Sequence, residues 1–289
     1  MKHSQQAIQP ELKGKSTVME YLISVDLEGI HGVVGAPFEK LSKDSPFYAP
    51  AAEAAVLEVN AAAKALFDNG ATKVAVWDGH GGGNNMDFTK IDPRVIKIDI
   101  SKDKFRFDFV KAHNFCGILF IGYHAMEGTP CGVLAHSFNS TAIQYIKLNG
   151  KDIGELGVDS LICKSYGIDP LFIASDNMGV EEMRNICPNI HNVITKYGIR
   201  RNEAKLRGED EVLSDIYNAI SRAVKEKCKN TVPDFPRIAH LEIRYTRAER
   251  ADQIYDKVLK EGEISMYRGE DSHVLNFEIT RAVQIPKLL

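Results

Sequence analysis

Four mainly apolar segments of strand length recur in the first two thirds of the chain, at residues 20–25, 73–77, 117–122 and 170–175. Apolar runs of this length, without strict alternation, are typical of strands buried on both faces, as in a parallel sheet. The pattern therefore predicts a parallel-type sheet.

A long helix is predicted between the first two of these strands. Residues 50–70 are rich in alanine, lack internal glycine and proline, and end in Asn69-Gly70, a pair that favours a helix C terminus. A strand, a helix and a second strand in this order indicate a right-handed crossover unit. The fold class that we predict is α/β, with a layered parallel-type sheet flanked by helices.

Residues 142–153 alternate in the manner of a β-hairpin, and Asn149-Gly150 at their centre favours the positive φ angles of a tight turn. Residues 154–167 then have the pattern of a helix. These two elements are expected to belong to the main part of the fold.

The composition changes after about residue 190. Charged helical segments, a proline-containing break at residues 231–237 and strand-like segments follow one another. We therefore predict a main α/β domain over residues 18–190 and a smaller α/β lobe over residues 191–289.

Polar side chains follow the apolar strands at their carboxyl ends. Acids and imidazoles stand at four such ends: Asp26 and Glu28, Asp78 and His80, His124, and Asp176. In open parallel sheets the loops that leave this edge converge on one crevice, where ligands bind. The sequence thus predicts that these side chains meet at a single site.

Asp26 and Glu28 are two residues apart, so their side chains project to the same side of an extended chain. Two adjacent carboxylates repel each other unless a proton or a cation lies between them. Imidazoles from His80 and His124 would add nitrogen ligands, and a mixed oxygen and nitrogen set favours zinc, manganese or cobalt. The alternative is that Asp26 caps a turn and each histidine is an isolated polar residue.

His136 lies twelve residues after His124, in a segment that can fold over the cleft. It is a candidate metal ligand or proton donor, because imidazole titrates near neutral pH; a hydrogen-bonded histidine beside Ser137 is the alternative. Glu155 opens a predicted helix, where its charge favours the positive end of the helix dipole. By itself that position indicates a structural role.

The 289 residues carry a formal net charge of -3, so nucleic acid is not an expected partner, because phosphate binding needs a clustered excess of Lys and Arg. No segment approaches the roughly 18 apolar residues of a membrane span, and the first twenty residues lack the apolar core of a signal peptide. Five cysteines without a C-x-x-C pair fit reduced thiols. We expect a cytoplasmic protein with no membrane partner.

Five short motifs occur in one order along the chain. They are residues 24–32 (SVDLEGIHG), 78–85 (DGH followed by NN), 122–125 (GYHA), 129–137 (TPCGV followed by HS) and 154–157 (GELG). Together they resemble the zinc-dependent D-aminopeptidase family known from bacterial dipeptide-transport operons. The likeness extends over about residues 21–177.

This resemblance implies two zinc ions per subunit, with manganese or cobalt as alternatives. It assigns five ligands, of which the first bridges both ions: Asp26, Glu28, His80, His124 and Glu155. It also implies that His136 acts in catalysis, whereas Asp78, Asn84 and Asp176 are candidates for supporting the ligands or binding substrate. A homo-oligomer, a ring-based decamer of stacked pentamers with an internal channel, is implied as well, and the C-terminal lobe would shape the pocket and the oligomer contacts.

The sequence departs from the family pattern at two places near the candidate catalytic histidine. Cys131 interrupts the usual T-P-G-V motif, and Ala135 stands where serine is common. These departures affect the expected specificity and assembly more than the metal site.

The function that we predict is a dinuclear zinc aminopeptidase that removes the N-terminal residue of short peptides, including peptides with D-amino acids. Water activated by the metals would attack the scissile carbonyl, and His136 would stabilise the oxyanion or protonate the leaving amine. Two alternatives remain: another dinuclear hydrolase acting on an amide or a phosphoester, and a non-catalytic metal-binding oligomeric scaffold.

Overall fold

The structure is a computed structural model that describes residues 19–37, 41–100, 106–226 and 232–289. The strands are β1 (Glu20–Val25), β2 (Lys73–Asp78), β3 (Ile96–Lys97), β4 (Phe115–Tyr123), β5 (Ile143–Leu148), β6 (Lys151–Asp152), β7 (Pro170–Asp176), β8 (His191–Arg200), β9 (Glu203–Leu206), β10 (Ala239–Tyr245), β11 (Ser265–Arg268) and β12 (Val274–Ile279). The helices are α1 (Tyr48–Asp68), α2 (Glu155–Ser165), α3 (Asn177–Ile186), α4 (Glu209–Glu226) and α5 (Ala248–Glu261).

The larger sheet has the strand order β3-β2-β1-β4-β7-β8-β9. Every neighbouring pair is parallel except β8 and β9, which form an antiparallel edge. The four strands predicted from the apolar segments, β1, β2, β4 and β7, are adjacent at the centre of this sheet. The predicted α/β fold with a parallel-type sheet flanked by helices is thus confirmed.

Alternate residues of the central strands face two separate cores. Ile23 and Ile121 point to the side of α1 and α4, whereas Leu22 and Phe120 point to the side of α2, α3 and the second sheet. All four side chains are buried. Burial on both faces explains why these strands are apolar throughout.

The second sheet is antiparallel, with the order β11-β12-β10-β5-β6. It contains the predicted hairpin, whose turn residues Asn149 and Gly150 have φ angles of 51° and 78°. These values match the tight turn that the Asn-Gly pair favours.

The boundary predicted between residues 190 and 191 does not separate the two sheets. β8 and β9 follow this position but belong to the larger sheet, and β5 and β6 precede it but belong to the second sheet. The last four residues of β8 and all of β9 are largely exposed, so their composition differs from that of the central strands. The hydropathy of a strand depends on its exposure to solvent. It does not indicate to which sheet the strand hydrogen-bonds.

Among the described residues, none of the helices combines the length and the apolar character needed to cross a membrane. Cys163 is buried, Cys131 is exposed, and neither forms a disulfide. Cys228, counted above among the reduced thiols, lies outside the described residues.

Candidate metal centre

The carboxyl ends of β1, β2 and β4 and the first turn of α2 bring the five predicted ligands together. His80 Nδ1 lies 2.8 Å from Asp26 Oδ1 and 3.2 Å from Glu28 Oε2. His124 Nε2 lies 3.5 Å from Asp26 Oδ2 and 3.4 Å from Glu155 Oε1. Asp26 therefore stands between two imidazoles, with a different carboxylate oxygen towards each.

Direct backbone packing holds the turn after β1 against the end of β4. The Gly29 amide donates to the Gly122 carbonyl at 2.6 Å, and a Cβ atom on Gly29 would lie 1.9 Å from the Tyr123 carbonyl oxygen. Gly122 has a φ of +74°, and a Cβ there would lie 2.1 Å from the Asp26 carbonyl oxygen. Only glycine permits this approach at both positions, and the approach brings Asp26 close to His124.

Each of the three histidines of the site donates a hydrogen bond from one ring nitrogen to a backbone carbonyl. His80 Nε2 donates to Leu41 at 2.6 Å, His124 Nδ1 to Ala125 at 2.9 Å and His136 Nδ1 to Leu134 at 3.0 Å. Because a carbonyl oxygen only accepts, the nitrogen facing it carries a proton. In the neutral ring the other nitrogen then presents a lone pair to the carboxylate cluster, which is the arrangement of metal-binding histidines.

Two buried atoms of this cluster support the fit of a metal ion. Glu28 Oε2 and His124 Nε2 have no hydrogen-bond partner among the described residues, and burying such atoms without a partner is costly. Ligand atoms of Asp26, Glu28 and His124 lie within 4.8 Å of one another, as do those of His124, His136 and Glu155. Carboxylate oxygens with imidazole nitrogens are a donor set that zinc accepts.

The acids and imidazoles of this cluster shift one another's pKa values. Burial alone would lower the pKa of His80, but the Glu28 and Asp26 carboxylates raise it to about 12. The pKa of His124 is likewise lowered by burial but raised to about 10, chiefly by Glu155 and Asp26. Burial would raise the pKa of Asp26, yet the two imidazoles hold it below its ordinary value. A divalent cation would replace protons that these groups bind.

His136 stands at the cavity face of this cluster. Its ring stacks on that of His124 with centroids 4.0 Å apart, and its Nε2 lies 3.9 Å from Glu155 Oε1. His136 lines the cavity, whereas the His124 residue is only 2% exposed. The two rings thus form an outer and an inner layer.

The remaining predicted site residues lie around the cluster. Asp78 accepts hydrogen bonds from the Asn85 and Met86 amides at 2.6 and 3.1 Å, so it shapes the glycine-rich loop that carries His80. Asn84 lines the cavity and accepts from Lys97 Nζ at 2.7 Å.

Asp176 is the N-cap of α3 and is fully buried. It accepts from the Gly179 amide at 2.8 Å and from the Val133 amide at 2.7 Å. The second bond anchors the segment that leads to His136. Asp176 therefore supports the site through the backbone.

A cavity of about 620 Å³ opens over the cluster, a volume within the roughly 300–1,000 Å³ of small-molecule sites. The cavity lining includes the acids Asp26, Glu28 and Glu155 and three cationic side chains, namely Lys43, Arg106 and Arg201. A cavity with both charge signs suits a short zwitterionic ligand.

Arg106 is a site residue that the sequence reasoning missed. Its guanidinium pairs with both Asp159 oxygens at 2.6 and 2.7 Å, and its Nη2 lies 3.6 Å from Glu155 Oε2. Tyr123 also donates to Asp159 at 2.8 Å. One signal was present, because Glu155 and Asp159 are four residues apart and therefore share a face of α2.

Comparisons with known proteins identify the family of this chain. A family model described as D-aminopeptidase matches residues 19–264. A D-aminopeptidase of Bacillus subtilis (strain 168) is 30% identical over 249 residues, covering 84% of this chain and 89% of the relative.

The fold is similar to that of a solved structure described as a zinc-dependent D-aminopeptidase, DppA, from Bacillus subtilis, a self-compartmentalizing protease. The TM-score is 0.82 at 25% sequence identity, over 93% of this chain and 95% of the other. The chain therefore belongs to the D-aminopeptidase family, as its sequence motifs predicted.

Proposed function

We propose that this protein is a zinc-dependent aminopeptidase that removes the N-terminal residue of short peptides, including peptides with D-amino acids, at a centre for two metal ions. The observation that carries the proposal is the position of Asp26, with Oδ1 2.8 Å from His80 and Oδ2 3.5 Å from His124. A carboxylate that presents its two oxygens to two imidazoles is arranged as a bridging ligand.

Asp26 would be shared by both ions, and four further side chains would complete the two ligand sets: Glu28, His80, His124 and Glu155. Bound zinc supplies Lewis-acid chemistry, which lowers the pKa of water and polarises a peptide carbonyl. The similarity to a zinc-dependent D-aminopeptidase supports zinc as the metal.

His136 provides proton chemistry at the cavity face. Its Nδ1 is held by the Leu134 carbonyl, and its Nε2 is directed towards Glu155 and the cavity. Because Nδ1 keeps the proton of the neutral ring, Nε2 would first accept a proton, and the resulting imidazolium would donate it to the leaving amine or hydrogen-bond to the developing oxyanion.

The cavity lining orients the substrate. The acidic cluster would attract the free amine of a short peptide, and Lys43 and Arg201 would attract its carboxylate. Arg106 is less suited to that task because it pairs with both oxygens of the buried Asp159 at 2.6 and 2.7 Å, whereas Arg201 lies 3.9 Å from the partly exposed Glu127.

We further propose a homo-oligomer, a ring-based decamer, located in the cytoplasm. The relative described as self-compartmentalizing supports self-association. So do exposed apolar side chains on the β8–β9 edge, namely Tyr197, Ile199 and Leu206. Light scattering of the purified protein would give the subunit number, and a monomer would contradict this assembly.

The decisive experiment measures the zinc content of the purified protein and its hydrolysis of paired D-alanyl and L-alanyl dipeptides, with and without a chelator. We expect two zinc ions per chain and chelator-sensitive cleavage of the D-alanyl peptides. Absence of bound metal would overturn the ligand assignment. Bound zinc without cleavage of either peptide would favour a non-catalytic scaffold.

A further inference from the structure

We propose that Thr195 and Lys196, adjacent residues of β8, are positioning residues for Glu28 and set the affinity of the metal centre; the inference rests on the function proposed above. Lys196 Nζ donates to the Glu28 and Ile30 carbonyls, each at 2.6 Å. Thr195 Oγ1 donates to the Gly29 carbonyl, also at 2.6 Å. Two neighbouring side chains thus bind three successive carbonyls of the turn that carries Glu28.

A β-bulge makes this arrangement possible. Adjacent residues of a regular strand point to opposite faces, so Thr195 and Lys196 would not normally reach one turn. The pairing of β7 with β8 shifts here: Ser175 is opposite Ile194 and Asp176 is opposite Lys196, which leaves Thr195 as the extra residue. A bulge of this kind redirects a side chain, often beside an active site.

The turn is held from two directions. On one side the Gly29 amide donates to Gly122 of β4, and on the other side the β8 residues hold its carbonyls. In the sheet, β8 is separated from β1 by β4 and β7, so the turn after β1 must cross the ends of these two strands to reach Thr195 and Lys196. The backbone of Glu28 is thereby fixed.

Lys196 and Thr195 are both fully buried. Burying an amino group is costly unless its protons are satisfied. Lys196 Nζ donates one hydrogen bond to the carbonyl of Glu28, a proposed ligand, and another to the carbonyl of Ile30. Meanwhile Glu28 Oε2 lacks a hydrogen-bond partner among the described residues. The contacts therefore hold the main chain of Glu28 and leave this carboxylate oxygen available for a cation.

Partners that orient metal ligands typically change metal affinity by about 10–100-fold when removed. Loss of the β8 contacts would release the Glu28 backbone, while Asp26, His80, His124 and Glu155 keep their places. We therefore expect weaker binding of zinc rather than loss of the fold.

The test uses Lys196→Met and Thr195→Val, which keep approximate side-chain size but lack the donor groups, and Thr195→Ser, which keeps the hydroxyl. Zinc affinity is measured on the full chain by competition with a chromogenic chelator, and thermal unfolding is followed on the same samples. Lys205→Met, at an exposed lysine on β9, is the matched control.

We expect Lys196→Met and Thr195→Val to bind zinc about 10–100-fold more weakly, with hydrolysis restored by added zinc. Thr195→Ser and Lys205→Met should bind as the wild type does. If Lys196→Met and Thr195→Val fold and bind zinc as tightly as the wild type, the inference about β8 is overturned, and the proposed function is unaffected. A wild-type protein without zinc affinity would overturn the metal centre and this inference together. If Lys196→Met does not fold, the Thr195→Val and Thr195→Ser pair decides.

Discussion

The imidazole of His136 stacks on that of His124 with ring planes inclined by only 18°. His124 lies beneath it against Asp26 and Glu155, and His136 faces the cavity. The same stack therefore joins a proposed metal ligand to the proposed proton donor. Removing the outer ring should impair chemistry without removing the metal.

Replacement of His136 by Ala is expected to lower kcat for dipeptide hydrolysis by about 10²–10⁴-fold, the usual contribution of a positioned general acid or base. Zinc content should stay close to that of the wild type, because the five proposed ligands are unchanged. Steady-state kinetics and elemental analysis of one preparation test both statements. A variant with wild-type kcat would exclude His136 from the chemistry.

Asp26→Asn is expected to lose both ions, because this substitution removes the charge of the carboxylate that faces two imidazoles. His80→Asn alters one side of the cluster and should reduce the zinc content less. Zinc per chain, measured by elemental analysis after dialysis, separates the two variants. Two ions retained in Asp26→Asn would argue against a bridging role.

Gly29→Ala should prevent formation of the metal centre, because the added Cβ would lie 1.9 Å from the Tyr123 carbonyl oxygen. Overpacking of this kind costs about 1–3 kcal/mol of the free energy of unfolding or more, and relief of the clash would move Glu28. Gly208→Ala is the control, since a Cβ there would meet its nearest atom at 4.0 Å. The unfolding temperature and the zinc content should change only in Gly29→Ala. If both stay at the wild-type values in this variant, the close packing of Gly29 against the Tyr123 carbonyl is disproved.

The buried pair of His31 and Glu58 predicts a pH dependence of stability. His31 Nδ1 lies 2.9 Å from Glu58 Oε1, and this hydrogen bond raises the pKa of His31 despite the opposing effect of burial. Because the pKa of His31 is raised in the folded state, the pair stabilises the fold fully at pH values below the unfolded-state pKa of about 6.5. This contribution is lost as the pH rises through the folded-state pKa.

His31→Gln should therefore lower the unfolding temperature most below about pH 6, with a free-energy loss of about 1.5–3 kcal/mol for a charged hydrogen bond. The difference from the wild type should shrink at higher pH. Unfolding is measured with chelator present in both proteins, so that metal release does not contribute. His273→Gln removes a surface contact with Asp271 and should have little effect; an equal pH dependence in both variants would refute the assignment to His31.

Much of the candidate site was predictable because its proposed ligands follow strands. Asp26, His80 and His124 come directly after apolar segments that could only be central strands, and parallel strands end at one edge. Glu155 was different, since its place at the start of α2 indicated only a favourable charge at a helix end. The family motifs identified it as a ligand candidate, and the structure places it 3.4 Å from His124.

The residues that contact the proposed ligands or their backbone were not predictable in the same way. Lys196 and Thr195 are distant in sequence from Glu28, and their contacts depend on a one-residue bulge in β8. Arg106 follows no strand end, and its partner Asp159 is recognisable only once α2 is folded against it. Asp176 looked like a site acid, but it caps α3 and holds the Val133 amide.

The sequence by itself determined the four central strands, the hairpin at Asn149-Gly150 and the set of acids and imidazoles that follow the strands, because hydrophobic periodicity and turn preference act over a few residues. Only the tertiary structure decided which sheet each later strand joins, which oxygen of Asp26 faces which histidine and which buried side chains hold the ligand turn. Those outcomes depend on contacts between residues far apart in the chain, such as Asp26 with His80, 54 positions apart, and Glu28 with Lys196, 168 positions apart. No local pattern encodes such contacts.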